Sequence, residues 1–388
     1  MITCEYPPQI GGVSDYAFVM SKELARTGSM VHVWCGATSA DCWPSPGVTV
    51  HRKLGRFSPL DLYRAGKLLD QFAEPRELFV QWVPHGYGYR SVNVFFCLWL
   101  WMRAKVKRDH VQIMFHEVWL SFGGTWKANM AAAAHRVMVM LLKQAASKIW
   151  IAGESWKKYL RGTRAPIGWL PVPSNVDHDP SSEQVAAVRK QYSAADQLVG
   201  HFGIGDASVE KLLRSFIPSL LHERPAVSFL LIGKSSERFA HEMKTAHPDL
   251  SGRIFSSGVL LSHEISAYIS ACDLIFQPYI DGISTRRTAA MAALANGRPL
   301  LTTSGHSTEP FWLHCDQLAI IPAKEPNALV SRASQLLEDD GERVRMAMAG
   351  RKLYEALFDV SISVQVLRGQ TPPLQQESIE RAVLGLKS

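Results

Sequence analysis

The apolar residues of the chain fall into short runs, separated by longer stretches in which apolar positions recur at helical spacing. The first half has apolar runs at 1–5, 30–35, 78–82, 112–115 and 148–151, with helical spacing over 15–26, 59–72, 91–107 and 126–146. The second half repeats this with runs at 197–202, 227–232, 254–255, 274–277, 300–302 and 318–321, and helical spacing over 209–221, 236–245, 263–271, 285–295, 308–314, 326–338 and 342–357. This alternation predicts an α/β fold with parallel sheets buried on both faces.

A proline-rich stretch at 166–180 separates the two halves. It contains four prolines, which fix the backbone and remove amide donors, so it is typical of a connector. We predict one domain at 1–175, a linker at 176–195, a second domain at 196–370 and a tail helix at 371–388 that packs back on the first domain. Two open parallel sheets that face each other would leave a cleft, and ligands collect beyond the carboxyl ends of such strands.

The first loop that follows a strand contains Gly11 and Gly12 before a predicted helix. Paired glycines let backbone amides approach a ligand, and a helix start adds unpaired N–H groups, so the loop could cradle a phosphate. An ordinary turn in which Ser14 or Asp15 caps the helix explains the same residues. The loop lacks the spacing of a dinucleotide-binding fingerprint, which argues against a nicotinamide enzyme.

His116 and Glu117 follow the apolar run at 112–115. A histidine and a glutamate at the carboxyl end of a strand can bind sugar hydroxyls or move a proton. Equally, they could be a surface histidine and the first residue of the next segment. The spacing is not that of a zinc-binding helix, and no metal site is predicted.

The loop at 277–287 carries the strongest chemical signal. Ser284, Thr285, Arg286 and Arg287 are predicted to open a helix near Ser284, where arginines and free amides suit a phosphate. Arginine in a first helical turn opposes the helix dipole unless an anion is present, which favours a binding site over a solvated charged face.

Loops after other strands could line the same site. They contain Gly203, Gly233 and Glu309. Lys211 lies on the predicted helix at 209–221 and could also reach a phosphate, although a lysine at such a position more often just faces water.

The chain carries a formal net charge of +7, which fits an anionic partner. No zinc finger or basic block supports a nucleic-acid partner. The six cysteines form no CxxC pair, and no signal peptide or spanning segment is visible, so we expect a cytoplasmic protein with reduced, buried thiols. The stretch at 95–108 runs from aromatic residues into basic ones, which fits either a helix lying on an anionic membrane or a core helix with a solvated basic end.

Taken together, the chain resembles the retaining GT-B glycosyltransferases of family 4 over nearly its whole length. The resemblance rests on Pro7-Pro8 with Gly11-Gly12-Val13, LPVPSN at 170–175, GHFG at 200–203, ACD at 271–273, QPY at 277–279, Asp281-Gly282 and ALANGRP at 293–299. It implies two facing Rossmann-like domains with an interdomain cleft, a nucleoside-diphosphate sugar as donor, and no cofactor or obligatory metal.

The resemblance also implies roles for particular residues. His116 matches the family's histidine near the donor sugar, and Asp281 matches the first acid of its paired-glutamate motif. Gly11 and Gly12 would approach the donor phosphates and the acceptor. The residues Ser284, Thr285, Arg286 and Arg287 fall where phosphate contacts are expected.

The sequence departs from the family pattern at the second glutamate of that motif. Position 289 is alanine, and counting back from Gly297 leads to Ala292, so neither alignment supplies a carboxylate. His201 stands near the position of a family arginine. Ribose recognition must then differ or activity is lost, although the Ser-Thr-Arg-Arg run resembles a subgroup with its own phosphate-binding pattern.

The predicted function is transfer of a hexose, with retention, to a saccharide or lipid-linked acceptor. Two alternatives stay open: a non-catalytic GT-B protein that binds a saccharide or a partner transferase, and a sugar-nucleotide epimerase.

Overall fold

The computed structural model describes residues 1–9, 11–38, 45–88, 91–192 and 197–370. Cys42 and the predicted tail helix at 371–388 lie outside these residues. The chain divides into two compact units, with the division between Pro171 and Val172. We call them unit 1 and unit 2.

Unit 1 is built on parallel strands. Its elements are α1 (Gly12–Arg26), β1 (Val31–Trp34), β2 (Val48–His51), α2 (Pro59–Leu69), β3 (Glu77–Trp82), α3 (Val94–Lys105), β4 (His110–Phe115), α4 (Trp126–Ala145), β5 (Lys148–Ile151) and β6 (Ile167–Trp169). The predicted strand at 1–5 is reduced to Ile2, which bridges Trp34 of β1 and Val80 of β3. The order across the sheet is therefore β2, β1, Ile2, β3, β4, β5, β6.

Apolar strands and capped helices explain this layer arrangement. The inner strands bury most of their side chains, as expected for a sheet covered on both faces. Helix α2 begins at a capping box in which Ser58 and Asp61 bond each other's backbone amides. Thr125 caps α4 in the simpler way, by accepting from the amide of Ala128.

Unit 2 has one six-stranded parallel sheet. Its elements are α5 (Ser182–Tyr192), β7 (Gln197–Phe202), α6 (Ala207–Glu223), β8 (Val227–Ile232), α7 (Ser236–Ala246), β9 (Ile254–Ser256), α8 (Ser262–Ser270), β10 (Leu274–Gln277), α9 (Thr288–Ala295), β11 (Leu300–Ser304), α10 (Pro310–Leu313), β12 (Ala319–Pro322), α11 (Pro326–Glu338), α12 (Asp340–Leu357) and α13 (Val360–Leu367). The strand order is β9, β8, β7, β10, β11, β12. This is the doubly wound Rossmann order, in which the chain reverses direction across the sheet between β7 and β10.

The segment after α8 lies close to β7 because Gly200 has no side chain. A Cβ added at Gly200 of β7 would lie 2.4 Å from the sulfur of Cys272, so only glycine fits there. All six residues of β8 are buried, which explains its unbroken apolar sequence.

Four elements were not predicted from the sequence: β2, β6, α5 and α13. Helix α5 lies inside the predicted linker at 176–195. It packs on α8, and Arg189 at its carboxyl end binds Asp273 at 2.9 Å. This stretch therefore belongs to unit 2 instead of forming a free connector.

The five described cysteines form no disulfide with one another. Cys35, Cys97 and Cys272 are buried, and Cys4 and Cys315 are partly buried. Burial raises the pKa of the Cys4 and Cys315 thiols to about 12 in each case. They are therefore thiols instead of thiolates at neutral pH.

Candidate functional site

The carboxyl ends of β7 and β10 form the switch point of the unit 2 sheet. In open α/β sheets this is where ligands bind, because the loops that follow the two strands turn to opposite sides. Here the loop after β7 leads to α6, and the loop after β10 runs from Pro278 to Arg287. The polar residues predicted to bind a phosphate lie on the second of these loops.

The arginines of this loop are bound by an internal acid. One oxygen of Asp281 accepts a hydrogen bond from Arg286 at 3.1 Å, and the other accepts from Arg287. The Arg287 guanidinium also lies over the ring of Tyr279, 4.4 Å from its centroid. The loop thus holds two cations around one carboxylate, which leaves one net positive charge.

The prediction that a helix opens near Ser284 is wrong, because α9 begins at Thr288. The preceding residues bond outside the helix instead. The backbone N–H and hydroxyl of Thr285 both donate to the Glu309 carboxylate, at 3.0 and 2.9 Å, and its carbonyl accepts from Val172 at 3.1 Å. The anion expected beside the arginines is Asp281 of the same loop.

Glu309 is a buried acid that fixes this loop. It precedes α10, and its side chain is only 4% exposed. Burial raises the pKa of the carboxyl to about 7, against the two bonds from Thr285, which favour the ionised form. The geometry makes Glu309 a support for Thr285, and its oxygens are already engaged there.

His201 is fully enclosed at the end of β7. Its Nδ1 lies 2.8 Å from the carbonyl oxygen of Phe276, to which it donates. Burial lowers the pKa of His201 to about 4, so the ring is neutral at pH 7. Because Nδ1 carries the proton, Nε2 is a hydrogen-bond acceptor.

Two buried polar atoms of the loop after β10 have no partner among the described residues. They are the hydroxyl of Ser284 and Nε of Arg287. Leaving one such atom unsatisfied costs about 1–3 kcal/mol, so proteins seldom keep such atoms without a use. A polar ligand bound at the switch point could satisfy them.

Glycines keep the neighbouring loops open. Gly203 after β7 has φ +86° and Gly233 after β8 has φ +112°, values that favour glycine. A Cβ at Gly203 would meet nothing within 4 Å, so its backbone faces open space. Lys211 lies on α6 with its side chain exposed.

In unit 1, the glycine loop encloses an acid of its own chain. A Cβ at Gly11 would lie 2.2 Å from a carboxylate oxygen of Glu5. The same oxygen accepts from the backbone N–H of Ser14 in the first turn of α1, at 3.0 Å. Glu5 therefore already caps the helix start that was predicted to cradle a phosphate. A Cβ at Gly12 would meet nothing within 4 Å.

His116 directly follows β4 and contacts one amide side chain and one aromatic ring. Its Nε2 is 2.9 Å from Oε1 of Gln81, and the Tyr16 ring meets it edge-on with centroids 4.7 Å apart. Burial lowers the pKa of His116 to about 4, so the ring is neutral. With Nε2 donating to Gln81, the other ring nitrogen is the acceptor. Glu117 lies 3.8 Å from His85 and is partly exposed.

Sequence reasoning missed Gln81, Tyr16, Tyr279 and Glu5. The amide nitrogen of Gln81 and the hydroxyl of Tyr16 are buried without a partner among the residues described. One signal was available, because Gln81 is the single uncharged polar residue in the strand ELFVQW. Its nearness to His116 required knowing that β3 pairs with β4.

The described part of the chain has neither a metal-binding cluster nor a helix that could span a membrane. No group of three or more His, Cys, Asp or Glu in that part is arranged to hold a metal ion. None of its helices has the length and apolar character to cross a bilayer.

Comparison with known proteins agrees with this architecture. Residues 198–339 match the family model "Glycosyl transferases group 1". This range begins in β7 and contains the switch point and the Asp281 loop. No curated protein matches the chain.

Solved structures match over both units. Sucrose-phosphate synthase from Thermosynechococcus elongatus is 16% identical, with 99% of each chain covered and a TM-score of 0.68. A glycosyltransferase from Rickettsia africae is 12% identical, with 97% of this chain and 98% of that chain covered and a TM-score of 0.69. Anabaena HepE in complex with UDP-glucose is 16% identical, with 95% and 98% covered and a TM-score of 0.66. The fold is GT-B, with two Rossmann-like domains.

Proposed function

We propose that the chain is a retaining glycosyltransferase of family 4. It moves a hexose from a nucleoside-diphosphate sugar to a saccharide or lipid-linked acceptor in polysaccharide or glycoconjugate biosynthesis. The nucleotide sugar is a co-substrate, and no resident cofactor takes part. The reaction takes place in the cytoplasm, and a lipid-linked acceptor would bring the enzyme to the inner face of the cell membrane.

The observation that carries the proposal is the pair of arginines held around Asp281 at the unit 2 switch point. Guanidinium groups bind phosphate oxygens in pairs, and these two are already positioned. On the same loop, the buried hydroxyl of Ser284 and Nε of Arg287 have no partner among the described residues. A diphosphate that takes over the arginine contacts of Asp281 would gain charge pairing without a large rearrangement.

The first donor to test is a UDP-sugar. HepE, which shares the fold, was crystallised with UDP-glucose, with UDP, and with UDP and glucose. Gly203 and Gly233 leave backbone open near the switch point, and Lys211 lies on the helix that follows, so these three residues complete the proposed donor site.

In the proposed step, the bond between the sugar C1 and the diphosphate oxygen breaks. A bond from C1 to the acceptor oxygen forms on the same face of the sugar. The acceptor proton passes to the departing diphosphate, whose charge Arg286 and Arg287 stabilise. Positioning and electrostatic stabilisation thus supply most of the catalysis. His116, with one ring nitrogen as an acceptor, would bind a hydroxyl of the donor sugar, and Glu117 would contact the acceptor.

Thermal shift with a panel of UDP-, GDP- and ADP-sugars tests the donor site. A ligand at 100 times its Kd stabilises the folded protein by about 2.7 kcal/mol, which such an assay resolves. We expect one nucleotide class to raise the Tm of the native chain, and Arg287→Ala to abolish that rise. Arg332→Ala is the matched control, since Arg332 is also paired with an acid in unit 2, Glu342.

Product analysis then separates the proposal from its alternatives. A transferase releases the nucleoside diphosphate and joins the sugar to an added acceptor. An epimerase converts the donor with no acceptor present. Donor binding without any turnover across acceptors would identify a binding protein and end the transferase proposal.

A further inference from the structure

Helix α3 exposes large apolar side chains along one side. Phe95 is 62% exposed and Val106 is 69% exposed, and Leu98 and Met102 between them are 39% and 43% exposed. The four positions are spaced three, four and four residues apart, so they form one stripe along the helix. The opposite side of α3 is buried in unit 1 through Phe96, Trp99 and Leu100. Isolated exposed apolar residues are common, but a continuous stripe marks an interaction site.

Helix α2 extends this stripe into a groove. Leu60 and Tyr63 of α2 are 54% and 58% exposed, and a groove of about 470 Å³ lies between the two helices. Tyr63, Phe95, Leu98 and Met102 line it, with Lys67 and Lys107 at its edge. The exposed apolar surface is therefore shared by two helices of unit 1.

Buried ion pairs fix the orientation of α3. Arg103, on the inner side of the helix and 3% exposed, donates to Asp109 and to Asp70 at the end of α2. Because Asp109 is fully buried, breaking its pair with Arg103 would leave an uncompensated buried charge. Helix α3 therefore cannot easily turn its stripe inward, and the apolar side stays available to a partner.

The charge of the chain is concentrated in the same unit. Residues 1–171 contain 21 Lys and Arg against 11 Asp and Glu, whereas residues 172–388 contain 21 against 24. Lys105 lies between Met102 and Val106 at the end of α3, and Lys107 and Arg108 follow Val106. Lys67 lies across the groove, and Lys107 also binds Asp70 at 2.8 Å. An apolar stripe edged by basic side chains is complementary to an anionic lipid surface, with lysine stems reaching up to the headgroups.

We propose that the α2–α3 surface, defined by Leu60, Tyr63, Phe95, Leu98, Met102 and Val106 with Lys67, Lys105 and Lys107 at its edge, docks unit 1 on an anionic membrane. The apolar side chains enter the boundary between headgroups and acyl chains, and the lysines bind lipid phosphates. The docking proposal rests on the proposed function only for the reason why the protein would need a membrane. The geometry of the surface does not depend on the reaction.

Flotation of the full chain with liposomes tests the surface. We expect binding to vesicles containing phosphatidylglycerol, much weaker binding to pure phosphatidylcholine, and loss of binding at high salt. Met102→Glu should weaken binding to the anionic vesicles at least tenfold. Met348→Glu is the matched control, because Met348 on α12 of unit 2 is 59% exposed and does not line the groove. It should bind like the native chain.

The charged edge is tested separately by Lys67→Gln and Lys105→Gln. Each should weaken binding about fivefold at low salt, as expected for one basic residue near an anionic surface. Lys22→Gln and Lys324→Gln, at exposed lysines away from this surface, should change it little. Circular dichroism and donor thermal shift confirm that each variant is folded.

Three results would overturn the proposal. They are absence of binding at low salt, equal binding by Met102→Glu and the native chain, or a dimer in solution that Met102→Glu dissociates. The last result would identify the stripe as an interface between two copies. Turnover with a soluble acceptor is measured in parallel, so a failed transferase proposal and a failed docking proposal give different patterns.

Discussion

Each unit has an acid in a loop that follows a central strand of its sheet, but the two acids bind different groups. In unit 1, Glu5 follows the first strand segment and binds a backbone amide of α1. In unit 2, Asp281 follows β10 and binds the side chains of Arg286 and Arg287. The first acid stabilises a helix start, whereas the second binds two arginine side chains.

This difference indicates which unit should bind a diphosphate. A phosphate entering at Gly11 would have to replace Glu5 at an amide that is already bonded. A phosphate entering near Asp281 would meet two guanidiniums that share one carboxylate, and a net positive charge favours it. We therefore expect unit 2 to bind the diphosphate and the neutral His116 of unit 1 to bind hydroxyl groups.

The largest expected effect is on turnover. Arg287→Ala should lower the rate by about 10²–10³, the loss seen when one preorganised donor to a developing oxyanion is removed. Arg287→Lys keeps the charge but loses the paired geometry, so its turnover rate should lie between that of Arg287→Ala and that of the native protein. Arg332→Ala should leave the rate unchanged. Unchanged turnover in both Arg286→Ala and Arg287→Ala would show that the diphosphate does not bind at this loop.

Acid pH should destabilise both units, and the histidines with the most strongly lowered pKa are His116 in unit 1 and His201 in unit 2. His116 and His201 have a pKa of about 4 when folded, against 6.5 when unfolded. The unfolded state therefore binds protons first, so stability is complete above about pH 6.5 and falls as the pH drops toward 4. Each histidine could contribute up to about 3 kcal/mol, at 1.36 kcal/mol per pKa unit.

Urea denaturation between pH 4 and 7 measures this loss. His201→Gln and His116→Gln should each flatten the pH dependence, since glutamine does not titrate. A pH profile that neither substitution changes would mean that other groups cause the acid instability.

A substitution at Gly11 should lower the stability of unit 1 alone. Gly11→Ala places a Cβ against the Glu5 carboxylate, which must then move away from the Ser14 amide, and should cost about 0.5–2 kcal/mol of unfolding free energy, as loss of a helix cap does. Gly12→Ala, with open space at that position, is the matched control and should be neutral or slightly stabilising. Glu5→Ala combined with Gly11→Ala should recover part of the loss. Equal stability of the two glycine variants would contradict the close packing of Glu5.

The smallest expected effect belongs to Lys211. Its side chain is exposed on α6, so Lys211→Ala should change the unfolding free energy by less than about 0.5 kcal/mol. If it binds a donor phosphate through water, the KM for the donor should rise a few fold with kcat unchanged. A large loss of kcat would place Lys211 among the groups that stabilise the departing diphosphate.

Much of the fold could be predicted from periodicity, because parallel strands covered on both faces are apolar throughout. The runs at 197–202, 227–232, 274–277 and 148–151 match β7, β8, β10 and β5 residue for residue. Strands β2 and β6 were not predicted, because they lie at sheet edges, where partly exposed residues break the apolar pattern. Strand order could not be obtained, since the pattern within a strand does not reveal its neighbours.

The site was predictable as a set of loops but not as a set of contacts. The sequence placed Asp281, Arg286 and Arg287 in one loop, six residues apart at most. It could not show that the arginines bind Asp281, or that Thr285 bonds Glu309 twenty-four residues away. That second contact also explains the misplaced helix start, because local preferences for serine and threonine at a helix opening yielded to tertiary hydrogen bonds.

The sheltered thiols give each half of the molecule its own reporter of opening. Cys97 lies on the buried side of α3 in unit 1 and Cys272 lies against β7 in unit 2, and burial raises the pKa of both thiols. A pulse of alkylating reagent therefore modifies them only when the surrounding structure opens. Mass spectrometry of the two peptides would then show whether an added nucleotide sugar slows opening in one unit of the protein or in both.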